Sequence, residues 1–145
     1  MISHSFKTKI YYKDTDQMGI VYYSRYFEFF ESARTELLAS IGLAVRNIEE
    51  NDVFLPVISA KCDYKKSAKF EDEITVVSSI DDLPTSRLII NYRVLGKDES
   101  ILASGSTVHG FINANGTPKR PPQILVQKIK TLMNSNAQRL DYGRP

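Results

Sequence analysis

One apolar stripe limits what this chain can fold into. Tyr26, Phe30, Ala33, Leu37 and Ile41 recur every three or four residues, Phe27 and Leu38 widen the band, and Glu31, Arg34 and Glu36 fall at or beyond its margins. That spacing predicts one amphipathic helix from about Ser24 to Ile41, with a face that must be covered. Ser24 is placed to cap it with its hydroxyl, Glu28 suits the positive end of the helix dipole, and Gly42 is a natural stop. After the polar bridge AVRNIEENDV, about sixty residues read as strand: Phe54 to Lys65, Ile74 to Ile80, Arg87 to Leu95 and Ile101 to Ile112. Another alternating segment, Ser5 to Tyr12, precedes the helix. Long strands with short turns around one helix predict an α+β fold, an antiparallel β-sheet wrapped around one long central helix, rather than βαβ units.

The run ASGSTVHGF, Ala103 to Phe111, fits that arrangement. Side chains this small weaken a strand, and they make sense where another element approaches the sheet closely. Asn113 to Gly116 reads as a turn before the basic segment TPKRPP. A short amphipathic helix is expected over Gln123 to Met133, with residues 134–145 as a mobile tail. At 145 residues the chain has the length of one domain, 1–145.

Composition excludes several classes. No apolar run approaches the roughly 20 residues that span a bilayer. The opening MISHSFKTKI lacks the apolar core of a secretion signal, so no membrane insertion and a cytoplasmic location are expected. A net charge of +2 leaves no nucleic-acid footprint. The single cysteine, Cys62, reads as a small apolar strand residue, and the two histidines, His4 and His109, stand at no metal-ligand or catalytic spacing. No metal is expected.

The loop ahead of the helix carries the chemistry. Asp14 and Asp16 flank Thr15, Gly19 follows, and an aromatic run begins at Tyr22; nine of the fifteen aromatics lie between Phe6 and Phe30. Such density suggests a pocket. A helix start offers unpaired N–H groups and a partial positive charge, which suit the oxyanion formed when an ester or thioester carbonyl is attacked. A neighbouring carboxylate supplies the base or the nucleophile. Taken alone, Asp-Thr-Asp is more often a set of turns and caps, and aromatics at helical spacing are more often core.

The frame Tyr12, Asp14, Thr15, Asp16, Gly19, Val21, Tyr22, Tyr26, Phe30, Glu31, Ala33, Arg34 and Glu36 resembles the signature of the hotdog-fold 4-hydroxybenzoyl-CoA thioesterase family, in its YbgC-like branch associated with the Tol-Pal system. The resemblance implies hydrolysis of an acyl-CoA thioester with no cofactor, in a homodimer or homotetramer whose subunits pair into one continuous sheet and whose sites lie at the interface. By position it implies Asp16 as the catalytic carboxylate, Asp14 in support, the Tyr23 backbone N–H as the donor to the thioester carbonyl, and Gly19 as the bend between them. Many relatives carry histidine at the Tyr23 position; a backbone donor survives that change. Tyr26, Phe27 and Phe30 are the expected acyl pocket, and Lys119, Arg120, Lys65 and Lys66 are candidates for the phosphates of coenzyme A. Glu31 is read as a surface group paired with Arg34. Two other readings stand beside this one. One is a non-catalytic module binding acyl thioesters or acyl carrier protein. The other is a hydratase or dehydratase, for which His109 is the one plausible histidine.

Overall fold

A computed structural model describes the main chain of residues 1–142 and the side chains of residues 1–135. Strand β1 (Ile2–Lys9) alternates as expected, with even-numbered residues inward and odd-numbered ones exposed. It stops three residues before the predicted end because the chain turns early. The Asp14 carboxylate accepts the Tyr11 N–H at 2.9 Å and draws Tyr12–Asp14 into a turn of 3-10 helix.

The main helix α1 (Arg25–Ser40) buries Tyr26, Phe29, Phe30, Ala33, Leu37 and Leu38. The predicted hydroxyl cap is not formed: Ser24 is itself helical in φ and ψ and makes no capping bond. The entry is instead a tight turn, in which the Arg25 N–H bonds to the Tyr22 carbonyl at 2.9 Å. Gly42 ends the helix with φ of 79°. The bridge that follows holds a helix the periodicity did not reveal, α2 (Val45–Glu50), because only Val45 and Ile48 mark its inner face and only Ile48 is buried.

Strands β2 (Val57–Tyr64), β3 (Glu73–Ile80), β4 (Leu88–Leu95) and β5 (Ile101–His109) join β1 in one antiparallel sheet, ordered β1-β3-β4-β5-β2. The inner face, with Ile74, Val76, Ile80, Leu88, Ile90, Tyr92 and Val94, closes on α1. Its polar members are tied together: the Tyr92 hydroxyl meets Thr107 Oγ1 at 2.6 Å, Thr107 Oγ1 meets His109 Nε2 at 2.8 Å, and His109 Nδ1 lies 3.1 Å from the Leu55 carbonyl.

Strand β2 departs from its pattern. It alternates in sequence, yet seven of its eight residues are exposed and Cys62 is only half-buried. It bonds to β5 on one side alone, and its other edge meets no strand among the described residues.

Helix α3 (Gln123–Tyr142) corrects the expected stop at Met133. No glycine or proline interrupts 123–142, so the helix runs through most of the segment assigned to a tail. Residues 143–145, the end of that predicted tail, lie outside the described residues. Leu125 and Ile129 anchor α3 to the core. No described helix is long and apolar enough to cross a membrane.

Candidate active site

The Asp14–Tyr22 loop is a tightly bonded structure. Asp16 N–H bonds to the Ile20 carbonyl at 2.9 Å, Gly19 N–H to the Asp16 carbonyl at 3.0 Å, and Tyr22 N–H to the Asp14 carbonyl at 2.9 Å. Val21 N–H reaches the Ala68 carbonyl at 2.9 Å, which fastens the loop to the β2–β3 connection. Gly19 has φ of 76°, a left-handed conformation that closes the turn started by Asp16. A side chain with a Cβ is disfavoured there by backbone sterics alone, because no other atom lies within 4 Å of where a Cβ would sit.

The two aspartates have different surroundings. Asp14 is buried, with 5% of its surface exposed, and its Oδ2 is occupied by the Tyr11 N–H. It holds the loop. Asp16 is half-buried; its Oδ1 accepts the Met18 N–H at 2.8 Å, and its Oδ2 has no partner among the described residues. One oxygen is thus fixed by the main chain while the other is left for chemistry.

Asp16 lines a cavity of about 350 Å³ together with Ile20, Val21, Tyr22, Tyr23, Tyr26 and the segment from Tyr64 to Ser67. Tyr23 is at a corner of the turn from Tyr22 to Arg25. In such a turn the N–H groups of the two central residues point away from the closing bond. The Tyr23 N–H accordingly makes no hydrogen bond among the described residues, whereas Val21, Tyr22 and Arg25 all make one. The Asp16 carboxylate also contributes to raising the Tyr22 phenol above its ordinary range, behind the hydrogen bond and charge of Tyr23 and desolvation.

The other predicted residues divide. Tyr26 lines the cavity, its ring edge-on to Tyr64 at 5.2 Å. Phe30 does not: it is fully buried and stacked on Tyr92. Phe27 stands edge-on to Phe30 and is not part of the cavity wall. The predicted aromatic pocket is therefore largely core, since a helix with this stripe turns Phe30 to the sheet rather than to the loop. Lys65 and Lys66 line the cavity. Lys119 and Arg120 are at the opposite end of β2: Lys119 N–H bonds to the Phe111 carbonyl, and its Nζ lies 3.3 Å from the Asp52 carbonyl. Eight strand residues separate the two ends, about 25 Å at the usual rise.

Two further expectations change. Glu31 is exposed but forms no ion pair with Arg34 among the described residues; Arg34 turns toward the Tyr92 phenol instead. His109, which a hydratase would need at the substrate, is 1% exposed and bonded on both ring nitrogens in the core.

Sequence reasoning missed Tyr64. It ends an alternating run immediately before a Lys-Lys turn, and an aromatic with a polar tip at that junction was the available signal. No group of three or more His, Cys, Asp or Glu side chains that could hold a metal occurs among the described residues.

Residues 11–129 match the family model described as the thioesterase-like superfamily. An acyl-CoA thioesterase YbgC of Haemophilus influenzae is 31% identical over 105 residues, covering 72% of this chain and 76% of that protein. Among solved structures, a probable thioesterase from Bartonella henselae superposes with a TM-score of 0.77 at 30% identity, covering 83% of this chain and 99% of the other. A DHNA-CoA thioesterase from Staphylococcus aureus reaches a TM-score of 0.85 at 21% identity, covering 100% and 98% of the two chains, a likeness of fold.

Proposed function

The chain belongs to the thioesterase-like superfamily, with its hotdog fold, and on that footing we propose that it hydrolyses an acyl-CoA thioester to the free carboxylic acid and coenzyme A. The observation that carries the reading is the pairing, on one cavity wall, of the free Oδ2 of Asp16 with the unbonded N–H of Tyr23. The N–H receives the carbonyl oxygen as it becomes an oxyanion, at a helix entry whose dipole favours the charge. Asp16 either takes a proton from an attacking water or attacks the carbonyl itself to give an anhydride that water then opens. In both routes the carbon–sulfur bond breaks, the thiolate of coenzyme A leaves and is protonated, and no metal or organic cofactor enters the balance. Acid production in 18O-labelled water separates the routes, because only the anhydride route can leave label in the Asp16 carboxyl.

The exposed edge of β2 supports a homodimer. Antiparallel pairing of this strand with its copy about a two-fold axis satisfies both edges and sets the Val57 end of one strand against the Tyr64 end of the other. The Lys119–Arg120 turn of one copy then faces Lys65 and Lys66 of the second, so that all four cations serve the phosphates of one coenzyme A. A cytoplasmic location is part of the same reading, with coenzyme A or acyl carrier protein as the carrier.

The test is release of free thiol from short, long and aromatic acyl-CoAs and from an acyl carrier protein thioester. Turnover of one class identifies the acyl group and supports the reading. Binding of a thioester with no thiol released would make the protein a binding module instead.

A further inference from the structure

The turn that presents the Tyr23 N–H leaves another group unpaired, the Tyr23 carbonyl. The helix ladder bypasses it: Arg25 N–H bonds to the Tyr22 carbonyl at 2.9 Å and Phe27 N–H to the Ser24 carbonyl at 3.3 Å. No main-chain donor reaches the Tyr23 oxygen among the described residues. A side chain 41 residues away does, since the Tyr64 hydroxyl donates to it at 2.8 Å.

We propose that Tyr64 is a positioning residue for the thioesterase site, its hydroxyl holding the Tyr23 carbonyl from the end of β2 and so aiming the Tyr23 N–H into the cavity. The inference rests on the thioester-hydrolase reading and deepens it.

The geometry of the peptide chain makes the link direct. The Tyr23 N–H and carbonyl belong to the two rigid peptide planes that meet at its Cα. With the Arg25 N–H bonded to the Tyr22 carbonyl, anchoring the Tyr23 carbonyl holds the second plane and limits the rotation that would swing the N–H. The corner is otherwise weakly held: Tyr23 and Ser24 are exposed, and Ser24 makes no side-chain cap. Tyr64 is itself well anchored. Its ring packs edge-on against the buried Tyr26, in the first turn of α1, with Cys62 two residues back on the same face of β2. Desolvation first, and then Cys62, push its pKa up to about 12, so the hydroxyl keeps the proton it donates throughout the neutral range. Tyr64 also lines the cavity, yet its hydroxyl is committed to the main chain, which separates its role from that of Asp16.

Tyr64→Phe removes the hydroxyl and keeps the ring against Tyr26. The expected result is a kcat lower by roughly tenfold with KM within twofold, the size of effect of one lost hydrogen bond to a group used in the transition state. Amide hydrogen exchange gives a readout independent of turnover. The Arg25 N–H, which closes the turn, should exchange at least about tenfold faster in the variant, while Val94 in the centre of the sheet stays unchanged. Unchanged Arg25 exchange would overturn the proposal, as would faster Arg25 exchange with kcat intact. Faster exchange at Arg25 and Val94 together would mean general destabilisation and would overturn it too. If the wild-type protein releases thiol from no thioester, the hydrolase reading fails by itself, and the Arg25 comparison still decides whether Tyr64 holds the turn.

Discussion

Phe30 of α1 lies flat on Tyr92 of β4, with ring centroids 4.2 Å apart and planes within 7° of each other. Gly105 on β5 is the register partner of Tyr92, and it is what lets the ring lie so low. A Cβ on Gly105 would come within 2.7 Å of the Phe30 ring and closer still to the Lys61 carbonyl of β2. The helix that carries the candidate site is thus seated on the sheet at a place where only hydrogen fits.

Gly105→Ala is therefore expected to destabilise the fold by about 2 kcal/mol, an overpacking cost, because the obstacle is backbone on one side and a clamped ring on the other. Urea denaturation would show it as a lower midpoint with an unchanged slope.

Gly19→Ala should act through conformation alone. The left-handed φ costs an alanine about 1 kcal/mol, and nothing else obstructs its methyl group. The turn that fixes Asp16 should loosen, lowering kcat more than stability. Gly19→Asn, whose side chain tolerates this region, should retain more of both, and a comparison of the two variants by kcat and thermal midpoint checks it.

The central helix, its apolar stripe, the four later strands and the close approach at Gly105 were legible because each depends on local periodicity or residue size. The loop was legible through Asp14, Asp16 and Gly19, a dense and unusual combination. Other features depend on tertiary partners. Alternation in β2 told of a strand but not that most of its residues would be exposed, since that is decided by α1 packing mainly against β1 and β3. Phe30 read as pocket because sequence supplies the aromatic face of a helix without saying which neighbour it meets. Tyr64 was hidden because its partner is a single carbonyl 41 residues away.

Lys65→Ala with Lys66→Ala should raise KM for the acyl-CoA about tenfold with kcat within twofold. That corresponds to losing roughly one charge-assisted hydrogen bond to phosphate. The corresponding acyl-pantetheine, which lacks the nucleotide phosphates, should be hydrolysed equally by both proteins. Steady-state kinetics at two salt concentrations provides the check, since the gap should narrow as salt screens the charges.

Burial, with a smaller contribution from the positive charge of Arg34, holds the His109 pKa below its ordinary value near 6.5, against the opposing effect of its bond to the Leu55 carbonyl. The unfolded chain therefore binds this proton more readily than the folded one. Stability should be complete above about pH 6.5 and fall as pH drops from there toward the depressed folded value. His109→Gln should be less stable at pH 7.5 but show a shallower decline between pH 7 and pH 5, measured by urea midpoints across that range.

Asp16→Asn tests the central claim most directly, because it removes the charge and the proton acceptor while keeping the size of the side chain. Thiol release should fall by about 10² to 10⁴ on the acyl-CoA that the wild-type protein turns over, with the thioester still bound and the thermal midpoint little changed. A variant that is folded, binds the thioester and turns it over at the wild-type rate would contradict the assignment of Asp16 as base or nucleophile.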